Sequence, residues 1–195
     1  MSFDLLFKFE NALAEYTGAP YVVVTDGCTH AIELCMRFDM VRTCEFTPFT
    51  YISIPQLMHQ LDILYYFKPE YWSSIGEYQF HGTRIWDSAR RLERNMYRKG
   101  QLQCLSFGYG KPLHLGKCGA ILLDNEQDYL ALSCMRSDGR DLRIAHWPDQ
   151  EIFYQGFHYC PTLETCEIGL EKFPLDIEGI TKQTYPDLRK INIIS

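Results

Sequence analysis

The sequence has no C-x-x-C pair, no internal repeat, no excess of basic charge and no apolar run near the roughly 20 residues that span a bilayer. Each absence closes off a class. Eight cysteines are scattered at positions 28, 35, 44, 104, 118, 134, 160 and 166. Without paired spacing, a zinc ribbon or a redox pair has no support. The six histidines add no ligand pattern, so no metal site is expected. Cys35 in AIELCM and Cys104 in LQCLSF sit in apolar runs, where a free thiol packs as a small hydrophobe. All eight are read as reduced and structural, in line with an intracellular, cytoplasmic protein. Asp4 and Glu10 interrupt the apolar pattern of the first sixteen residues, which argues against a signal peptide. Nineteen basic residues against twenty-five acidic ones give a net charge of -6, which argues against nucleic acid as the main partner. No membrane association is expected either.

What is present suits a globular chain. At 195 residues and 46% hydrophobic, it has room for one ordinary domain and needs no staples. Leu5, Leu6, Phe9, Leu13 and Tyr16 recur at helical spacing, with Gly18 as a stop. YVVVT (21–25) reads as a buried strand, 29–38 as a helix, 43–46 as a strand, 53–60 as a helix and 63–67 as a strand. Residues 68–82 are aromatic, turn-rich and without a clear pattern. Arg84–Trp86 reads as a strand, Ala89–Arg98 as a helix with an exposed arginine face, and 103–107 and 120–123 as strands. Helices follow at 127–135 and 162–173, with a polar loop between them. The alternation predicts an α/β fold, a mostly parallel sheet flanked by helices. Such sheets bind ligands at the carboxyl ends of their strands.

Three loops after strands carry polar residues. Asp26-Gly27-Cys28-Thr29-His30 opens a helix. Its free N–H groups suit a phosphate; it also reads as a plain capping turn with Asp26 or Thr29 as the cap. Asp87 ends a strand, where a carboxylate can hold a cationic ring nitrogen or cap the next helix. Residues 106–119, SFGYGKPLHLGKCG, are neither a dinucleotide fingerprint nor a P-loop, because the third glycine and the Ser/Thr are missing. They place Lys111 in a tight loop between two buried strands. There it is either a desolvated, nucleophilic amine or a solvated loop lysine.

Taken together, in order and character, these loops resemble the DegT/DnrJ-type (fold-type I) sugar aminotransferases, which depend on pyridoxal phosphate (PLP). Phe9-Glu10…Leu13-Ala14-Glu15-Tyr16-Thr17-Gly18 is similar to the family's first helix and turn. Thr25 to Leu34 resembles its phosphate loop, Thr47-Pro48-Phe49-Thr50-Tyr51 its ring-stacking segment and Asp87-Ser88-Ala89 its Asp-x-Ala motif. Ser106, Phe107, Lys111, Leu113, Gly116 and Gly119 match its lysine motif. The resemblance implies roles. Lys111 and Asp87 would be catalytic: Lys111 would hold the cofactor covalently and move the proton, and Asp87 would pair with the pyridine N–H. Cys28, Thr29 and Ser106 would hold the phosphate, and Tyr51 would cover the ring. Arg90 stands where the family has Gln or His, and would contact the cofactor's phenolic oxygen or point to solvent. His158, in Gly156-Phe157-His158-Tyr159-Cys160, would replace an Asn that reaches a neighbouring subunit's phosphate, so a homodimer is implied.

The match is to a shortened large domain. Between 67 and 84 there is room for only sixteen residues, where the family has a further strand and helix. The expected organisation is one cofactor-binding domain over 1–173, with 174–195 as a tail in place of the family's C-terminal domain. The arginines at 84, 90, 91, 94 and 98 read as a solvated helix face or as a substrate diphosphate site. The expected activity is transfer of an amino group from an amino acid, glutamate by resemblance, to a nucleotide-linked keto-sugar. The alternative is a reduced, non-catalytic relative that serves as a binding or assembly module.

Overall fold

The computed structural model describes residues 3–68, 76–144, 146–173, 179–181 and 184–192. Leu6, Phe9, Leu13 and Tyr16 form the buried stripe of helix α1 (Asp4–Thr17). The chain leaves α1 through Gly18 in the left-handed conformation, its N–H donating to the Ala14 carbonyl. Strand β1 (Tyr21–Thr25) follows, then helix α2 (Cys28–Phe38), strand β2 (Thr43–Phe46), helix α3 (Ser53–Gln60) and strand β3 (Leu64–Phe67). β2 and β3 pair in parallel with α3 as their crossover. Strand β4 (Tyr78–Gln79) runs into β5 (Ile85–Asp87), and later come β7 (Leu102–Ser106), β8 (Gly119–Leu123) and helices α4 (Glu126–Arg136) and α5 (Leu163–Lys172).

The main sheet has the order β1-β8-β7-β5-β4. β5 and β7 are parallel, while β8 is antiparallel to both its neighbours and β4 to β5. The α/β class is as expected, but the sheet is mixed rather than mostly parallel. The physical reason lies in the connections. Five residues join β4 to β5, too few for a crossover, and the twelve that join β7 to β8 contain no helix to make one. Both faces of the sheet are buried. Val23, Cys104, Ile121 and Leu123 pack with α2 and α4 on one side; Val22, Val24, Leu105, Ala120 and Leu122 pack with α1 and α5 on the other. No helix of the described residues is long and apolar enough to cross a membrane. All eight cysteines are free.

The helix expected over Ala89–Arg98 does not form. Instead β6 (Arg91–Leu92) pairs with β9 (Gly179–Ile180), and Asn95 turns through a positive φ of 51°. The last carbonyls of α1 explain the choice. Tyr16 and Thr17 offer C=O groups that no helix of their own can satisfy, and the N–H groups of Asn95 and Tyr97 donate to them at 3.0 Å. The arginines are not a solvated face or an open anion site. Arg84 bonds Asp39 and Asp128. Arg91 and Arg98 converge on the buried Glu77. Arg94 lies over the Tyr16 ring. Part of the unpatterned 68–82 stretch, residues 69–75, lies outside the described residues.

Candidate active site

β1, β5 and β7 run in one direction, so their carboxyl ends share an edge of the sheet. The three loops singled out above all leave from that edge. Register fixes their spacing: Thr25 pairs with Gly119, and Gly119 with Ser106, while Asp87 pairs with Cys104.

The β1–α2 turn is held from below. A Cβ on Gly119 would lie 2.5 Å from the Cys28 nitrogen and 2.6 Å from the Gly27 carbonyl carbon. Only glycine lets β8 pass so close. Gly27 is the N-cap of α2 in an extended conformation and provides no side-chain cap. Asp26 and Thr29 do not cap either. Asp26 is bonded by His30 and by Lys117 at 3.0 Å, and Thr29 Oγ1 lies 2.8 Å from Ser53 Oγ. The first-turn N–H groups of α2 are thus left for solvent or an anion, at the positive end of the helix dipole. Burial works against the Asp26 charge, but the bonds from His30 and Lys117 outweigh it and hold the carboxyl below its ordinary value. Gly119→Ala is expected to cost about 1–3 kcal/mol, because backbone on both sides must shift. Thermal denaturation checks this; an unchanged melting temperature would mean that turn and strand have slack.

Asp87 is 3% exposed. Its Oδ1 accepts from the Ala89 N–H and its Oδ2 from the Tyr78 hydroxyl, both at 2.9 Å. Tyr78 OH lies 2.8 Å from Thr50 Oγ1, so Thr50, Tyr78 and Asp87 form a chain. Burial raises the Asp87 carboxyl above its ordinary value, against the pull of the Ala89 and Tyr78 bonds and the charges of Lys111 and Arg90. Lys111 is half-buried, and desolvation lowers its amine below the ordinary lysine value, although Asp87 and Cys28 pull it the other way. Each group is therefore pushed toward neutrality, and each feels the other. Cys28 turns its thiol inward onto the Cys104 carbonyl, leaving its N–H at the turn.

The other expected residues fall as follows. Ser106 ends β7 at this edge, its Oγ 3.4 Å from the Gly108 nitrogen. Tyr51 is 55% exposed, beside Tyr185. Arg90 donates twice to the Thr181 carbonyl, at 2.9 and 2.7 Å. The His158 side chain is 89% exposed, with Nδ1 3.1 Å from Asp138. Sequence reasoning missed Thr50, Ser53 and Tyr78. Tyr78 had a signal: YQF and RIW flank Gly82, a hairpin pattern that would have put Tyr78 opposite Asp87.

Residues 4–64, from α1 to the start of β3, match the model of the DegT/DnrJ/EryC1/StrS aminotransferase family. The chain resembles a shortened large domain of that family. Solved structures share the fold. A DegT DnrJ EryC1 StrS aminotransferase from Brucella abortus superposes with a TM-score of 0.70 and 15% identity, over 86% of this chain and 57% of that one. A Bacillus cereus protein described as a PLP-dependent aminotransferase gives 0.68 and 15%, over 86% and 58%. DesI, solved in the presence of its TDP-sugar product, gives 0.65 and 14%, over 89% and 54%. The chain therefore spans 54–58% of the length of these three structures. No curated protein matches it in sequence.

Proposed function

We propose that this chain is a PLP-dependent aminotransferase that moves an amino group from an amino acid, glutamate by resemblance, to a nucleotide-linked keto-sugar. One observation carries the reading. Asp87, buried at the end of β5, and Lys111, in the loop that follows β7, each act on the other's charge at the same sheet edge as an uncapped helix N-terminus. The residues present fit PLP. The cradle over Gly119 suits a phosphate, with the Cys28 and Thr29 N–H groups, the Thr29 hydroxyl and Ser106 as its donors. Asp87 is a buried carboxylate in want of a cation, which a protonated pyridine nitrogen supplies. Tyr51 would cover the ring, and Arg90 sits near Asp87 and Lys111.

Bound there, PLP supplies the electron sink that stabilises negative charge at the amino-acid α-carbon. The chain's residues do the rest. Asp87 holds a proton on the ring nitrogen by ion pairing in a dry site. Tyr78, backed by Thr50, fixes the Asp87 Oδ2 and so its orientation. Lys111 Nζ, which desolvation biases toward the neutral amine, would hold the group covalently and, once free, take up the proton released from the amino-acid α-carbon. His158 is read as reaching a second copy in a homodimer, which its exposed side chain and the neighbouring exposed Ile152, Phe153 and Tyr154 support. Residues 1–173 are read as the cofactor-binding domain and 174–195 as its tail, in a cytoplasmic enzyme.

The test is spectroscopic. Mixed with PLP, the protein is expected to show a visible absorption band that borohydride fixes as a mass increment on the Lys111 peptide. Lys111→Ala is expected to lose both completely. Glutamate should then discharge the band. If wild type shows no band and takes up no PLP, the enzyme reading fails, and the non-catalytic module replaces it.

A further inference from the structure

The tail is not loose where it is described. Its residues meet the body at three places, each beside a residue of the site. β9 pairs with β6, and the Thr181 N–H donates to the Arg90 carbonyl at 2.8 Å while the Arg90 guanidinium donates back to the Thr181 carbonyl. Thr181 Oγ1 donates to the Gly110 carbonyl at 3.3 Å, one residue before Lys111. Leu188 is 3% exposed, and its N–H donates to the Pro48 carbonyl at 3.0 Å, three residues before Tyr51. Thr181 thus lies at the Asp87 and Lys111 loops, and Leu188 lies at the Tyr51 loop. Tyr185 stands three residues before Leu188. Its ring centroid is 6.0 Å from that of Tyr51, tilted by 57°.

We propose that Tyr185 is a binding residue of this site, which the tail carries into it as a second aromatic wall beside Tyr51. The proposal rests on the cofactor reading above and deepens it. Burial first, and then the charges of Asp87 and Cys28, push the Tyr185 phenol up to about 12. Asp87, Cys28 and Arg90 also act on Lys111, so the two residues share an electrostatic neighbourhood. The anchoring decides between a fixed wall and a swinging plug. A backbone ladder at Gly179–Thr181 and the buried Leu188 tie the described residues to the fold. An aromatic face against a flat ring adds affinity with little entropy to lose, because its backbone is already placed.

The experiment uses the full-length chain and two readouts. The first needs no cofactor. Labelling of the Lys111 amine by trinitrobenzenesulfonate is followed by peptide mass spectrometry. Tyr185→Ala is expected to speed it at least fivefold without lowering the melting temperature, and Tyr185→Phe to leave it unchanged. An unchanged rate in Tyr185→Ala overturns the placement of Tyr185 at the site, whether or not the chain takes up PLP. The second is PLP titration. Tyr185→Ala is expected to raise Kd about tenfold through faster dissociation, with Tyr185→Phe within about twofold of wild type. Tighter binding with faster association in Tyr185→Ala would make the residue a plug and overturn the wall. Faster labelling in a protein that takes up no PLP would sink the cofactor reading and the binding role together. Should Tyr185→Ala melt early, Leu188→Asn, which loosens the far anchor without touching the ring, gives the same comparison.

Discussion

Asp87→Asn is expected to make the cofactor-free protein more stable at neutral pH and to weaken PLP binding by about 10²–10³-fold. Both effects have one cause. In the folded chain the Asp87 carboxyl titrates above its ordinary value, because burial penalises its charge more than its partners favour it. A carboxyl raised in this way contributes stability below about pH 4, where it is protonated in both states. That contribution is lost as pH rises through the folded value. The asparagine has no charge to bury. Its Oδ1 keeps the Ala89 N–H, and its amide donates to the Tyr78 oxygen, so the Tyr78 hydroxyl turns to Thr50 and no bond of the chain is lost. Variant and wild type should therefore melt alike near pH 4 and diverge toward pH 7, with the variant higher. PLP reverses the order, since only the carboxylate pairs with a pyridinium. Melting curves from pH 4 to 8 with and without PLP read all of this. A variant that melts lower at pH 7, or binds PLP as tightly as wild type, sinks the assignment.

Lys111 obeys the opposite sign with the same meaning. An amine lowered by burial destabilises the fold while it is charged, and the penalty is relieved as pH rises toward its unfolded value. Two ionisable groups set against stability at one sheet edge are what a site that trades stability for chemistry requires.

That edge was legible in the sequence because its signals are local. YVVVT before a glycine turn, RIW before Asp87 and two apolar strands around a glycine-rich loop each announce a strand end within a few residues. What failed was set by distant partners. Leu92 and Met96 stand four apart and are both buried, as a helix would have them. The same spacing is met here by an irregular chain whose N–H groups serve α1 and whose arginines serve Glu77, fourteen and twenty-one residues away. Tyr185, beside Tyr51, and Leu188, bonded to Pro48, belong to a stretch of sequence with no periodic pattern at all. The mixed sheet was missed for a further reason: alternation of elements predicts class, whereas direction depends on whether each connection carries a crossover.

Glu77→Gln is expected to destabilise the fold by about 3–5 kcal/mol at pH 7, a fall on the order of 10 °C in melting temperature. Glu77 is fully buried. Its Oε1 accepts from Arg91 and Arg98, and its Oε2 from the Ser88 hydroxyl at 2.6 Å and from Gln103 at 3.3 Å. Burial opposes its charge, but the Arg98 and Ser88 bonds outweigh it, and the carboxyl is held below its ordinary value. The stability it contributes is therefore present above about pH 4.3 and lost as pH falls through the folded value. The amide turns one oxygen into a donor. It must then face either two guanidinium groups or the Ser88 hydroxyl and the Gln103 amide, and the arginines lose their counter-charge in a dry setting. The gap between wild type and variant should narrow steadily below pH 4; a gap that stays constant would show that shape, not charge, is what Glu77 supplies. Ser88 follows Asp87 directly, and Arg91 belongs to β6, which pairs with the tail. The loss should thus reach the site as well, appearing as faster Lys111 labelling at temperatures below the variant's melting transition.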